Sequence, residues 1–254
     1  MNGTPFKLGT FARHTGGVFA AIVLGDSDVI DLRNTRTGAL TTTESIEGLL
    51  EDWDVNFVAL QENVARIEKE GRPGALKLSN LKVLPPVRQP GKMFYAAQNF
   101  QEHVDEMLRA GMTPKEGPKF TGEKSTSAPY LFLKAPSTLA GAYDDIAIPA
   151  GLKKIDWEAE IACVIAKPGK HIKAERALDH VAGLEKRAGA LPHPAAGPAT
   201  EHIAALEREK VGGIFDLLLG RENELRGVAV LFDLAVHHQP DEQLHVIADE
   251  GARN

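Results

Sequence analysis

Three acidic residues alternate with other residues at the head of the most strand-like segment, Ile155 to Ala166. Side chains alternate across a strand, so Asp156, Glu158 and Glu160 are expected to share one face, where like charges repel. A cation between Glu158 and Glu160 would resolve this conflict, since positions i and i+2 lie about 6.6 Å apart. Oxygen ligands favour Mg2+ or Mn2+ over zinc. The spacing alone leaves a solvated strand end as an equal alternative.

A histidine and a glutamate are the second pair that could do chemistry. On the short helix predicted over Gln101 to Ala110, His103 and Glu106 share a face because they are three residues apart, whereas Asp105 points away. A carboxylate beside an imidazole orients the ring and raises its basicity, which suits a general base acting on water. Taken alone, this spacing favours an ordinary surface His–Glu pair.

Composition narrows the class of protein. The chain has 254 residues, 43% of them hydrophobic, and a net charge of −6. It can therefore build a core, while nucleic acid and membrane surfaces are poor partners for it. The one cysteine, Cys163, excludes an internal disulfide and lies in an apolar run, so it is predicted to be buried. Since no run approaches the roughly 20 apolar residues of a membrane span, a cytoplasmic location is expected.

The elements that must position these residues divide the chain into three parts. Residues 1–85 predict a small N-terminal α+β domain, and the Pro-rich segment Leu84 to Gly91 is the best boundary. Residues 90–184 predict a strand-rich domain, and residues 185–254 form a tail of unknown role. The predicted strands are Val18–Leu24, Val29–Leu32, Lys92–Ala97, Pro129–Lys134, Ile146–Pro149, Ile155–Ala166 and Val228–Val236, with a first strand near Phe6–Leu8. The predicted helices are Ile46–Trp53, Val55–Glu70, Gln101–Ala110, Ala174–His180 and part of Ile203–Leu219.

Four motifs in a fixed order carry a specific resemblance. They are Gln98-Asn99-Phe100-x-x-His103-x-x-Glu106, then Tyr130-Leu131-Phe132-Leu133-Lys134-Ala135-Pro136-Ser137, then Asp156-Trp157-Glu158-Ala159-Glu160-Ile161, then Ala177-Leu178-Asp179-His180-Val181-Ala182-Gly183. In this order they resemble the fumarylacetoacetate hydrolase family, and the opening segment resembles the small N-terminal domain of its bacterial members. The match runs over roughly residues 4–184.

The resemblance implies a fold, a site and an activity. It implies an α+β, mainly β fold, in which the small N-terminal domain precedes a mixed β-roll. Glu158 and Glu160 match two ligands of Mg2+ or Mn2+, His103 and Glu106 match a dyad on a lid helix that activates water, and Lys134 matches a lysine whose expected role is substrate contact. The loop 112–128 would belong to the lid.

Members of the family act on small diketo or unsaturated keto acids, some of them from aromatic catabolism. They hydrolyse C–C bonds, decarboxylate or isomerise. One scheme covers these reactions, in which the metal stabilises the enolate that forms on bond cleavage.

The resemblance stops after Gly183. The family continues with an Asp that is the third metal ligand, but this chain has no acid at a comparable place in Leu184 to Pro194. The β-roll is therefore predicted to be incomplete, with exposed edges that favour a homodimer. Two alternatives follow: a truncated or out-of-frame, catalytically impaired remnant, or a tail that is a separate metal-binding module. The tail contains five of the nine histidines, His193, His202, His237, His238 and His245. For His237 and His238 with Asp241, solvation is favoured over a metal site, because adjacent residues point to opposite faces of a strand.

Overall fold

The computed structural model describes residues 4–35, 40–97, 109, 130–145, 147, 155–192 and 228–234. The side chains of residues 130, 155–159, 186–192 and 228–234 lie outside this description. The chain forms two compact units, Met1–Gly91 with Ala135–Ala147, and Lys92–Lys134 with the described residues that follow Ile148. Helices and strands occur together, so the predicted α+β class is confirmed.

An antiparallel sheet of five strands organises the first unit. Its strands are β1 (Lys7–Arg13), β2 (Val18–Leu24), β3 (Asp28–Asp31), β4 (Leu76–Lys77) and β5 (Leu81–Leu84). Their order is β4-β3-β2-β1-β5. All of β2 beyond Val18 is buried, because its sequence is apolar on both faces. The first strand continues past the predicted Leu8 to Arg13, since it pairs with β2 from Lys7 to Ala12.

Two helices lie between β3 and β4, as the apolar spacing predicts. They are α1 (Ile46–Glu51) and α2 (Trp53–Lys69). The side chain of Ser45 caps α1 by accepting a hydrogen bond from the backbone N–H of Gly48 at 3.0 Å. Asn56 is fully buried in α2, and its amide donates to Leu49 O and to Thr41 Oγ1. These bonds satisfy a buried polar group that would otherwise destabilise the unit.

The segment Ala135–Ala147 belongs to the first unit although it follows a strand of the second. Asp144 accepts hydrogen bonds from Lys82 Nζ at 2.7 Å and from the backbone N–H of Gly141 at 2.9 Å. A Cβ atom at Gly141 would lie 2.5 Å from the carbonyl oxygen of Val83, so only glycine fits this close approach. The segment is thereby held against β5.

A mixed sheet organises the second unit. Its strands are β6 (Lys92–Ala97), β7 (Tyr130–Leu133), β8 (Ile155–Ile165), β9 (Val181–Pro192) and β10 (Val228–Leu234). Their order is β7-β6-β10-β8-β9, with β6 and β10 parallel and the other neighbours antiparallel. The tail therefore contributes the end of β9 and the central strand β10. Whether the β-roll is incomplete stays a prediction.

The short helix predicted over Ala174–His180 is present as a 3-10 helix. The strand that follows it, Val181–Pro192, was not predicted from the sequence, and it pairs with β8 along nearly all of its length. The strand predicted over Val228 to Val236 is confirmed as Val228–Leu234.

Other predictions fall on residues that the structure does not describe. These are the helix over 101–110 except Arg109, the loop 112–128, most of the strand 146–149, the helical segment 203–219 and the five tail histidines. The homodimer, the cytoplasmic location and the absence of nucleic-acid or membrane partners stay predictions. Among the described residues, no helix is long and apolar enough to span a bilayer.

A buried carboxylate anchors the end of β3. Asp31, only 2% exposed, accepts hydrogen bonds at 2.8 Å from Arg13 Nη2 and from Arg33 Nη2, and further bonds from the Nε and backbone N–H of Arg33. Burial by itself raises the pKa of Asp31, but the hydrogen bonds from Arg33 and Arg13 outweigh it and hold this pKa below its ordinary value. The charged form of Asp31 therefore stabilises the first unit.

Replacing Asp31 with Asn should lower the free energy of unfolding by about 1–3 kcal/mol at pH 7, because two charged partners lose their acceptor. Since the native pKa is lowered, this contribution is present at neutral pH and is lost as the pH falls through that pKa. Urea unfolding at pH 7 and at pH 3 measures it. Asp26→Asn, which breaks an exposed pair with Lys7, should change little. An equal effect of Asp31→Asn at both pH values would contradict this assignment.

Candidate functional site

The glutamate pair predicted to hold a metal lies in β8. Glu160 is 3% exposed and Glu158 stands two residues earlier in the same strand, with its side chain outside the described part. A carboxylate as deeply buried as Glu160 requires hydrogen bonds, a cationic partner or a metal ion. The alternative of an exposed, solvated strand end therefore does not hold for Glu160.

The strand that contains Glu160 is buried on both of its faces. Ala162, two residues further along, and Cys163 are fully buried. Burial raises the pKa of the Cys163 thiol to about 12, so this thiol is not a nucleophile at neutral pH. The prediction that Cys163 is a buried apolar residue is confirmed.

The register of the sheet shows which positions flank Glu160. In β9 the residue opposite Glu160 is Arg187, and in β10 it is Asp233. Gly189 of β9 stands opposite Glu158. A basic and a second acidic residue type thus occupy the positions beside Glu160, and no acid stands opposite Glu158 in β9.

The same register relates Glu160 to the segment that carries the predicted dyad. Phe232 of β10 pairs with Ala96 of β6 and with Ile161 of β8. Because β10 is parallel to β6 and antiparallel to β8, the next residue of β10, Asp233, lies level with Ala97, the last residue of β6, and with Glu160 of β8. The chain therefore leaves β6 at the level of Glu160.

His103 and Glu106 lie outside the described residues. They follow the end of β6 by six and nine residues. Six residues span at most about 20 Å, which limits how far His103 can lie from Ala97. The described residues show where the segment begins, at the level of Glu160, and the place of the dyad stays a prediction.

Lys134 lies elsewhere on the sheet. Phe94 pairs with Leu133, so Lys134 follows at the level of Met93, four residues from Ala97. This places Lys134 about 13 Å from the level of Glu160 along the strands. Its ammonium lies 4.4 Å from the centre of the Tyr95 ring, which stacks on Phe132 at 5.1 Å. This offset concerns the backbone of Lys134, whereas its ammonium reaches back to the level of Tyr95, two residues from Ala97. Its contact with substrate stays a prediction.

The residues around Glu160 can be compared with what a hard divalent cation needs. Glu158 and Glu160 supply carboxylate oxygens, the donor type that Mg2+ and Mn2+ prefer. Within the described side chains, no group of three His, Cys, Asp or Glu could hold a metal ion. The two carboxylates identified from the sequence, Glu158 and Glu160, thus have the chemistry that such a cation prefers.

Sequence analysis did not identify Asp233 or Arg187 as neighbours of Glu160. The strand of Asp233 had a detectable signal, because Val228 to Val236 is apolar and β-branched enough to predict a strand, whereas the strand of Arg187 was not predicted. Pairing partners are set by the register between strands that are distant in sequence, and no local pattern reports it.

Comparisons with known proteins find matches to a family model and to two relatives. A model of the fumarylacetoacetate (FAA) hydrolase C-terminal domain matches residues 92–185. Human mitochondrial oxaloacetate tautomerase FAHD2A is 36% identical over 122 residues, which are 48% of this chain and 34% of that protein. Maleylpyruvate hydrolase of Aquipseudomonas alcaligenes is 35% identical over 164 residues, 64% of this chain and 54% of that protein. The chain therefore spans about a third to a half of the length of these relatives.

Solved structures share the fold. Maleylpyruvate hydrolase of Sphingobium sp. SYK-6, in complex with manganese(II) and pyruvate, has a TM-score of 0.55 at 17% identity, covering 91% of this chain and 89% of that one. The 5-carboxymethyl-2-hydroxymuconate delta-isomerase of Mycobacterium smegmatis has a TM-score of 0.54 at 17% identity, covering 91% and 90%. At this identity the similarity concerns the fold alone.

Tyr95→Leu should lower the free energy of unfolding by about 1–3 kcal/mol, because it removes the ring that stacks on Phe132 and lies beneath the Lys134 ammonium. Urea unfolding measures the change. The control is Tyr143→Leu, whose side chain is 65% exposed and whose loss should be nearly neutral. Equal effects of the two substitutions would show that the packing around Tyr95 contributes no specific stability.

Proposed function

Because residues 92–185 belong to the fumarylacetoacetate hydrolase family, we propose that this protein is a divalent-metal-dependent hydrolase or isomerase. Its proposed substrate is a small diketo or unsaturated keto acid. The observation that carries the proposal is that the chain leaves β6 at the level of the buried Glu160, two strands away in the same sheet. A hydrolytic or tautomerising site needs both a charge-stabilising centre and a proton-transfer group in one place.

Glu158 and Glu160 are the proposed metal ligands. A bound Mg2+ or Mn2+ would supply positive charge that stabilises the oxyanion developing on a keto acid. The burial of Glu160 supports this role, because a buried site excludes water and strengthens electrostatic interactions within it. The manganese in the maleylpyruvate hydrolase of Sphingobium sp. SYK-6 supports a divalent ion, and leaves the choice between the two metals to experiment.

His103 and Glu106 are the proposed proton-transfer pair. The carboxylate of Glu106 would hold the imidazole of His103 in one orientation and raise its basicity. One ring nitrogen of His103 would then accept a proton from water, and the water oxygen would attack the distal carbonyl of the substrate. Isomerisation or decarboxylation would need the proton transfer without the attack of water.

The substrate class rests on what two relatives are named for. Maleylpyruvate hydrolase and oxaloacetate tautomerase both act on acids that carry a ketone beside or near the carboxylate. A 2-oxo acid of this kind is the shared chemistry. Lys134 is proposed to contact the substrate, as its place in the Leu131 to Ser137 motif implies. C–C bond hydrolysis, decarboxylation and isomerisation break different bonds, and hydrolysis alone adds water, but in each of them negative charge would develop on the keto oxygen as the bond breaks.

A second candidate is a catalytically impaired member of the same family. It is favoured by Gly189, which stands opposite Glu158 in β9 where an acid could have completed the ligand set. Two carboxylates hold Mg2+ weakly, because this ion keeps most of its waters and depends on ligand charge. This candidate predicts no measurable Mn2+ binding by calorimetry and no turnover of acylpyruvate or oxaloacetate by the intact chain.

Glu160→Gln should reduce Mn2+ affinity roughly tenfold or more, because a neutral amide of the same size replaces a negative ligand. Titration calorimetry with Mn2+ measures the affinity, and turnover of acylpyruvate and oxaloacetate with Mg2+ or Mn2+ measures the activity. The matched control is Glu175→Gln, an exposed acid of the same unit, which should change neither quantity. Wild-type binding and turnover that survive Glu160→Gln would contradict the metal site.

His103→Gln and Glu106→Gln should each lower kcat by about 100-fold or more, because a general base contributes that much to proton transfer. Mn2+ affinity should stay unchanged, since neither side chain is a proposed ligand. Asp105→Asn is the control, because Asp105 lies on the opposite face of the predicted helix. Unchanged kcat in the His103 variant would rule out the dyad, while a parallel loss in the Asp105 variant would show a nonspecific effect on the segment.

A further inference from the structure

Two arginines of the first unit share one oxygen of a buried carboxylate. Arg13 Nη2 and Arg33 Nη2 both donate to Asp31 Oδ2 at 2.8 Å. The guanidinium groups of Arg13 and Arg33 are thus close neighbours, although like charges repel. One negative charge is available at Asp31 for two positive ones, so the group as a whole carries a positive charge.

Most of the N–H donors of these two arginine side chains do not bond to Asp31. A guanidinium has five N–H donors, of which Arg13 uses one and Arg33 uses two on this carboxylate. No other acceptor for either side chain occurs in the described part of the chain. The Arg13 side chain is 37% exposed and the Arg33 side chain 42%, while Asp31 is 2% exposed. The remaining donors are therefore accessible from solvent.

The two guanidinium groups are also held in place. The central carbon of Arg13 lies 4.7 Å from the centre of the Phe19 ring, and that of Arg33 lies 5.7 Å from it. Phe19 is buried and belongs to β2. Stacking on a ring occupies the flat face of a guanidinium and leaves its edges for hydrogen bonds. Because both side chains are already ordered, a ligand would lose little affinity to immobilising them.

We propose that Arg13 and Arg33 form an oxyanion-binding site on the first unit, which takes a carboxylate or phosphate group. Both groups match the planar fork of arginine, which binds two of their oxygens at once. Asp31 orients the two forks from the buried side, and the ligand occupies the exposed side. The second negative charge relieves the repulsion between the arginines that Asp31 alone leaves.

Among the described residues, Glu44 is a further charged group that acts on this site. Its negative charge contributes to the raised pKa of Arg33, after the hydrogen bond and charge of Asp31. Glu44 is exposed and forms no ion pair with Arg33, so it competes with an incoming anion through its charge rather than through a direct contact. Removing this charge should therefore strengthen binding.

The test is a titration of the full chain with inorganic phosphate and with malonate at constant ionic strength, followed by the NMR signals of the arginine Nε–Hε groups. The expected result is a saturable shift of the Arg13 and Arg33 signals, with a dissociation constant on the order of 1 mM. Arg33→Met should weaken binding at least tenfold, and Glu44→Gln should strengthen it. Arg66→Met, at an exposed helical pair with Glu70, is the control and should bind as the wild type does.

Arg33→Lys gives an independent variant, because it keeps the positive charge beside Asp31 but loses the planar fork. Weaker binding by this variant, with unchanged circular dichroism, supports recognition by the fork. Saturation by phosphate alone or by malonate alone also supports the site and identifies its ligand class. Shifts that never saturate, or saturation that persists in Arg33→Met, would overturn the proposal.

Discussion

A carboxylate in the interior of a sheet is the constraint on which the second unit depends. Glu160 lies in β8, between β9 and β10, and is 3% exposed. Burying a charge costs far more than burying an apolar group unless the charge is paired, hydrogen-bonded or bound to a metal. Strand stability alone gives no reason to place an acid there. The position is explained if the sheet serves to hold that carboxylate.

The register between the strands determines which residues lie at the level of this buried acid. β10 joins the parallel strand β6 to the antiparallel strand β8, and it thereby aligns the end of β6 with Glu160. The dyad segment must start at that level because it is covalently joined to β6. Lys134 follows the end of β7, and its ammonium lies over the rings of Tyr95 and Phe132.

The first unit also contains a buried carboxylate, and its partners are two arginines. Asp31 is as deeply buried as Glu160, and two arginines donate to it from the exposed side. The charges there do not cancel, because two cations face one anion. A buried acid in this unit therefore orients cations, whereas the buried acid of β8 stands beside a second glutamate in the same strand. The surroundings of each carboxylate, rather than its residue type, separate an anion site from a cation site.

Local sequence determined most of the elements and the identity of the chemical groups. The apolar run of β2, the helical spacing in α2 and the cap at Ser45 all act within a few residues, so their signals are readable without a structure. The E-x-E spacing and the His103–Glu106 pair are local in the same sense. Where β9 ends was not readable, because its length follows from pairing with β8. Only the tertiary structure decided that Glu160 is buried and that Asp233 and Arg187 flank it, since these follow from register between strands distant in sequence.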